Sequence, residues 1–174
     1  MSKFGRLAFG AAILVAPALL ASCTVRPLYA ENGGVTEKLA AVGFSDASAA
    51  DNAQRRVGQE VRNDLIFIAG RGAGEAKNPQ YNVDLAVTSG TGGVLYLSSS
   101  DTSQAGRTTV TASYVLKRIS DGKVIKAGSR SMVALVDFSR QEFSKQRAIR
   151  DSEDRAARQV AQFVGADIAA ALSK

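Results

Sequence analysis

The chain predicts an α+β fold: a small, mostly antiparallel four-stranded sheet with two helices packed on one face, in the order β-α-β-β-β-α. Three observations predict it. Two segments carry apolar residues at helical spacing, one before and one after a central block. The central block alternates apolar and polar residues, the period of half-buried strands. Asp121-Gly122 then divides the last two of its strands with a tight-turn signal.

A first short strand is expected over residues 38–44, where Leu39, Ala41 and Gly43 alternate with Ala40, Val42 and Phe44. Ser45 or Asp46 supplies a helix cap, and a helix follows from about Asp46 to Ile68. Val57, Val61, Leu65 and Ile68 fall on one face of it, with Arg55, Arg56, Gln59, Arg62 and Asn63 on the other. The run Gly70-Arg71-Gly72-Ala73-Gly74 stops this helix. Read as a phosphate cradle it stands in the wrong order, after a helix and before a strand, and a flexible connector is the favoured reading.

Tyr81, Val83, Leu85 and Val87 mark the next strand, and residues 90–93 a bulge or bend before 94–97 continues it. Residues 98–106 read as a polar loop; its Ser/Thr run has no neighbouring base to make a nucleophile. A long strand covers 108–119, with Val110, Ala112, Tyr114 and Leu116 on one face. A type I′ turn at Asp121-Gly122 leads into a return strand over 123–138. There Met132, Ala134, Val136 and Phe138 share a face, and Val133 and Leu135 the other. The last helix carries Ile149, Ala156, Val160, Val164, Ile168 and Leu172 as its apolar stripe. Arg147, Arg150, Asp151, Asp154, Arg155 and Arg158 are expected to face water.

The first residues have a different character. Lys3 and Arg6 precede an uncharged, mostly apolar run, then small residues, then Cys23, the single cysteine. This is the pattern of an export leader. Leu20-Ala21-Ser22-Cys23 resembles the bacterial lipobox, in which the leader is cut before a cysteine that carries acyl chains. That reading makes 1–22 a cleaved signal peptide, 23–37 a lipidated tether and 38–174 a single α+β domain. Pro27, Asn32, Gly33 and Gly34 suit a tether. Two alternatives stand beside it: an uncleaved anchor, and an intermolecular disulfide through Cys23.

Removing residues 1–22 takes away Lys3 and Arg6, so 20 basic residues face 16 acidic ones, a formal charge of +4. The chain has no histidine, and its one cysteine is the expected lipidation site. The commonest general base and zinc ligand are therefore missing, and no catalytic, metal or cofactor motif stands out. Nucleic acid is a poor partner for an exported chain without aromatic residues interleaved among basic ones.

One end of the sheet is expected to be basic. In three successive antiparallel strands the first connection and the exit from the third lie at the same end. That brings Arg107, Arg140, Lys145 and Arg147 together, against Asp101 and Glu142. Such an end is a candidate contact for phosphate or carboxylate groups; the alternative is an ordinary loop surface.

Cys23-Thr24-Val25-Arg26-Pro27-Leu28-Tyr29 resembles the start of mature lipopolysaccharide-assembly lipoproteins of the LptE family, in its alphaproteobacterial form. The tail around Arg150-Asp151-Ser152-Glu153-Asp154-Arg155-Ala156 resembles that family's closing helix. The resemblance implies a non-enzymatic, periplasm-facing lipoprotein of the outer membrane, held in its inner leaflet by acyl chains on Cys23. It implies a plug inside the β-barrel LptD that helps the barrel assemble and helps insert lipopolysaccharide into the outer leaflet. Thr24 fits outer-membrane delivery, since aspartate there is the usual retention signal. The alternatives are another outer-membrane lipoprotein that binds a different envelope component, and a cell-envelope hydrolase using carboxylates.

Overall fold

The computed structural model describes residues 34–48, 51–97 and 102–173. The leader, Cys23 and most of the expected tether lie outside them. The elements are α1 (Val35–Ala40), β1 (Val42–Phe44), α2 (Asn52–Gly70), β2 (Tyr81–Leu97), β3 (Thr102–Arg118), β4 (Val124–Asp137) and α3 (Glu142–Leu172). The strands lie in the order β1-β2-β3-β4.

The α+β class holds, with two corrections. The sheet is mixed rather than mostly antiparallel, because β1 pairs parallel with β2 while the other two pairings are antiparallel. The connection through α2 dictates this: strands joined by a crossover helix run parallel, whereas hairpins run antiparallel. There is also a third helix. The segment read as a strand over 38–44 begins as α1, in which Val35 and Leu39 are both buried. Their four-residue spacing puts them on one helical face, and the strand shrinks to Val42–Phe44.

Helix α2 starts later than expected. Ser45–Ser48 stays extended along β2, held by Ser45 N–H to the Val83 carbonyl and Ser48 N–H to the Leu85 carbonyl, each 3.0 Å. The cap is Asp51, whose carboxylate accepts from the Gln54 N–H at 2.8 Å. Val57, Val61 and Leu65 are buried as expected, and Ala69 joins them. Arg71, at φ 51°, ends the helix.

Strand alternation decides which residues meet the helices. Val83, Leu85 and Val87 of β2, Val110, Ala112, Tyr114 and Leu116 of β3, and Ala134 and Val136 of β4 are buried. Their odd–even neighbours, among them Ala86, Thr88, Ser113, Val133 and Leu135, are exposed. The two long helices therefore share one face of the sheet and also pack on each other. The stripe of α3 is buried from Ala156 to Leu172, while Ile149 is half-buried and Phe163 exposed.

Two connections differ in detail from the expected ones. β3 begins at Thr102, so residues 102–106 of the polar stretch expected as loop are strand, with Gly106 paired to Gly93 and Val136, while 98–101 lie outside the described residues. The type I′ turn is replaced by a longer one. Arg118 N–H reaches the Lys123 carbonyl at 2.9 Å, and Gly122 alone in this turn has positive φ, at 66°. Asp121 keeps negative φ because its side chain instead accepts the Lys123 N–H at 3.1 Å.

Polar links tie α3 to its neighbours. Arg56 of α2 pairs with Glu153 and Asp154, so part of the charged run expected to face water joins the two helices. Within that same run Ser152 is fully buried and meets Thr108 of β3, hydroxyl to hydroxyl, at 2.6 Å. Further along, Asp167 accepts from the Tyr114 hydroxyl at 2.9 Å and from two N–H groups of Arg130, each 2.7 Å.

Candidate functional site

The basic end begins where β4 runs out. Phe138 N–H donates to the Gln104 carbonyl at 2.8 Å, so β4 and β3 stay joined to the last residue. Gly106 lets this happen. A Cβ there would overlap the Phe138 ring, so the ring occupies the space a side chain would take. The chain then turns, with Gln141 N–H donating to the Ser139 hydroxyl at 3.2 Å, and enters α3.

The first ten residues of α3 bury no side chain fully; Ser152 is the first that does. This segment, about 15 Å long at 1.5 Å per residue, is an overhang. Its Lys145 ammonium stands 5.0 Å from the centre of the Phe138 ring, and its Arg147 guanidinium 5.9 Å from the Phe143 ring. Cations over aromatic faces at these distances are attracted by the ring's electron-rich face, which fixes long side chains without neutralising them.

Among the described residues, Arg107, Arg140, Lys145 and Arg147 form no ion pair. Arg140 lies in the connection leading into α3, and Lys145 and Arg147 lie in its first turns, over different rings. The structure separates Arg107, an exposed residue whose neighbour Thr108 faces Ser152 under α3. By strand alternation Arg107 stands on the opposite face of the sheet, opposite Leu135 of β4. A shared end of the sheet does not bring Arg107 to the other three, because the sheet has two faces. Asp101 lies outside the described residues, and Glu142 accepts from Gln146 at 2.7 Å. Cys23 also lies outside them.

Sequence reasoning missed the apolar half of this end. Phe143 is 75% exposed and Leu135 67%, and Val94 and Leu95 at the end of β2 are more than half exposed. Phe138 and Phe143 also hold the two cations, a role that their spacing from Lys145 and Arg147 could have signalled. The end is thus amphipathic: unneutralised cations beside exposed aromatic and aliphatic side chains. Such a surface can meet a molecule that is anionic at one part and apolar at another. No group of three or more His, Cys, Asp or Glu residues among the described ones is arranged to hold a metal ion. No described helix is long and apolar enough to cross a membrane.

Comparison with known proteins agrees with this architecture. A crystal structure from Caulobacter crescentus CB15, of a protein described as a lipoprotein, superposes with a TM-score of 0.63 at 16% identity, covering 80% of this chain and 96% of that one. Rare lipoprotein B from Shewanella oneidensis superposes with a TM-score of 0.54 at 10% identity, covering 74% and 92%. At such identities the likeness is one of fold. No curated protein matches by sequence. A family model described as "LptE: Lipopolysaccharide-assembly" matches residues 43–166, from β1 through most of α3. That match takes in most of the chain and every strand of its sheet, and the protein therefore belongs to the LptE lipopolysaccharide-assembly family.

Proposed function

We propose that the protein is an outer-membrane lipoprotein, anchored by acyl chains on Cys23 and facing the periplasm. It plugs the LptD β-barrel, helps it assemble and assists lipopolysaccharide insertion into the outer leaflet, without catalysis. Membership of the LptE family supports this reading most directly. The amphipathic end adds a physical reason. Arg140, Lys145 and Arg147 meet phosphates or core-sugar carboxylates of lipopolysaccharide, or acidic residues inside the barrel. Charge-assisted contacts of this kind are the strong ones, and guanidinium makes them bidentate. Arg107 serves the same chemistry from the other face.

Two measurements test this. A mild-detergent pull-down from outer membranes should retain a large barrel protein identified by mass as LptD; its consistent absence removes the plug reading. For the lipid contact, Lys145→Glu with Arg147→Glu should weaken binding to purified lipopolysaccharide at low salt by roughly tenfold or more, since charged hydrogen bonds contribute about 1.5–3 kcal/mol each. Arg107→Glu, measured separately, reports on the other face. Thermal melting of the core should change little, because the first ten residues of α3 bury no side chain fully and Arg107 is exposed. Unaltered binding with an intact fold would mean that this end is ordinary solvated surface.

A further inference from the structure

At the other end of the sheet, where α3 finishes, lies a cavity of about 400 Å³. Lys38 of α1, Tyr81 and Arg118 at paired ends of β2 and β3, Lys126 of β4, and Asp167 and Leu172 of α3 line it. Three cations thus face one carboxylate, and that carboxylate is already engaged. Asp167 accepts two N–H groups from Arg130 and the Tyr114 hydroxyl. Its pKa is lowered from the ordinary carboxylate value, chiefly by the Arg130 hydrogen bonds. The negative end of the α3 dipole is engaged too, since the Lys38 ammonium donates to the Leu172 carbonyl at 2.9 Å.

Unused donors remain. The Lys38 ammonium has two further N–H groups, and Arg118 gives Asp121 only one of its five, at 3.2 Å. Lys126 forms no ion pair among the described residues. The volume falls in the usual range for small-molecule sites, and Ile125 and Ala171 give the cavity an apolar wall. We propose that this cavity binds the phosphate of a phosphoester. A phosphate offers more acceptor oxygens than a carboxylate, and two ammonium groups with a guanidinium match them.

Two sources could supply such a group: a free phosphoester or a lipid headgroup. The second has a geometric argument. Eleven residues separate Cys23 from Val35. They span at most about 40 Å. A chain anchored at Cys23 can therefore bring Lys38 and its cavity to the leaflet. The headgroup source rests on the anchorage proposed above; the phosphate site itself does not.

The test uses the chain lacking residues 1–22 and carrying Cys23→Ser, which keeps every core residue from Val35 to Leu172. One arm titrates glycerol 3-phosphate by calorimetry. The other sediments the protein with vesicles of phosphatidylcholine containing phosphatidylglycerol, and with phosphatidylcholine alone. Lys126→Gln should weaken binding roughly tenfold, the effect of one charged hydrogen bond. Ala171→Leu should weaken it similarly by filling the cavity without changing charge. Arg55→Gln, an exposed change of the same charge on α2, should leave it unaltered. Binding in the first arm identifies a free phosphoester, and binding only to the anionic vesicles a lipid headgroup. Binding in neither arm overturns the proposal. So does equal binding to both vesicle types, or unaltered binding by folded Lys126→Gln and Ala171→Leu.

Discussion

Asp167 shows how one side chain can join a sheet to a helix. Tyr114 is buried, and its ring crosses Gly128, where a Cβ would lie 2.8 Å from the phenolic oxygen. The hydroxyl so reaches Asp167, which Arg130 holds from β4 with two parallel N–H groups. Burial, and then the Asp167 carboxylate, push the Tyr114 pKa up to about 12, while Arg130 draws that of Asp167 down. The lowered carboxylate therefore stabilises the fold fully above its unfolded value, about pH 4, and this contribution disappears as pH falls through the folded value. Tyr114 adds a contribution that is complete below about pH 10 and is lost as pH rises through about 12. Asp167→Ala leaves the Tyr114 hydroxyl unpaired, at a cost of about 1–3 kcal/mol. At this chain length that lowers Tm by about 2–4 °C per kcal/mol. Melts at pH 7 and pH 3 should show the gap between wild type and variant closing in acid. A gap of constant size would show that the ion pair contributes nothing.

Elements meet by close approach where a side chain is missing. Gly106 gives up its side-chain space to Phe138, and that ring in turn carries Lys145 at the start of α3. Strand end, connection and helix start thus form one packed corner beneath the proposed lipid contacts. Gly106→Ala should destabilise the protein by about 1–3 kcal/mol, the range for overpacking. Phe138→Ala should relieve much of that, so the double variant should be more stable than the two single changes add up to. Strict additivity in urea unfolding would show that the ring does not sit on Gly106. The same corner explains the length of α3. Its C-terminal two thirds are held by core burial, and its first ten residues extend past the core on little more than ring contacts.

For the whole molecule, the two ends of the sheet carry different chemistry. One combines cations with exposed apolar side chains, and the other holds an open cavity where three cations meet one carboxylate and an apolar wall. A protein handling an amphiphile beside a membrane can use both, one for the cargo and one for the leaflet. The anchor proposed at Cys23 would set where these ends lie. Cys23→Ala should leave a longer precursor and abolish labelling with radioactive palmitate. A variant that still matures to the same mass and still labels would sink the lipoprotein reading, while membership of the LptE family would stand on residues 43–166.

The amino-acid sequence by itself determined what is periodic. The apolar faces of α2 and α3, the alternation of β2, β3 and β4, and the hairpin order are local patterns that burial repeats in space. It also carried the family, through short motifs at Cys23 and in the closing helix. Tertiary structure decided what depends on partners distant in the chain. Val35–Ala40 is helical because Val35 and Leu39 find a core there, although alternation across Leu39 to Phe44 reads equally well as strand. Asp51 rather than Asp46 caps α2 because Ser45 and Ser48 bond to β2 first. Arg56 and Asp154, charged residues that pattern alone assigns to solvent, instead pair across α2 and α3, and Ser152 meets Thr108 beneath α3. Arg107 parts from Lys145 because adjacent strand positions point to opposite faces, a distinction that topology alone does not carry.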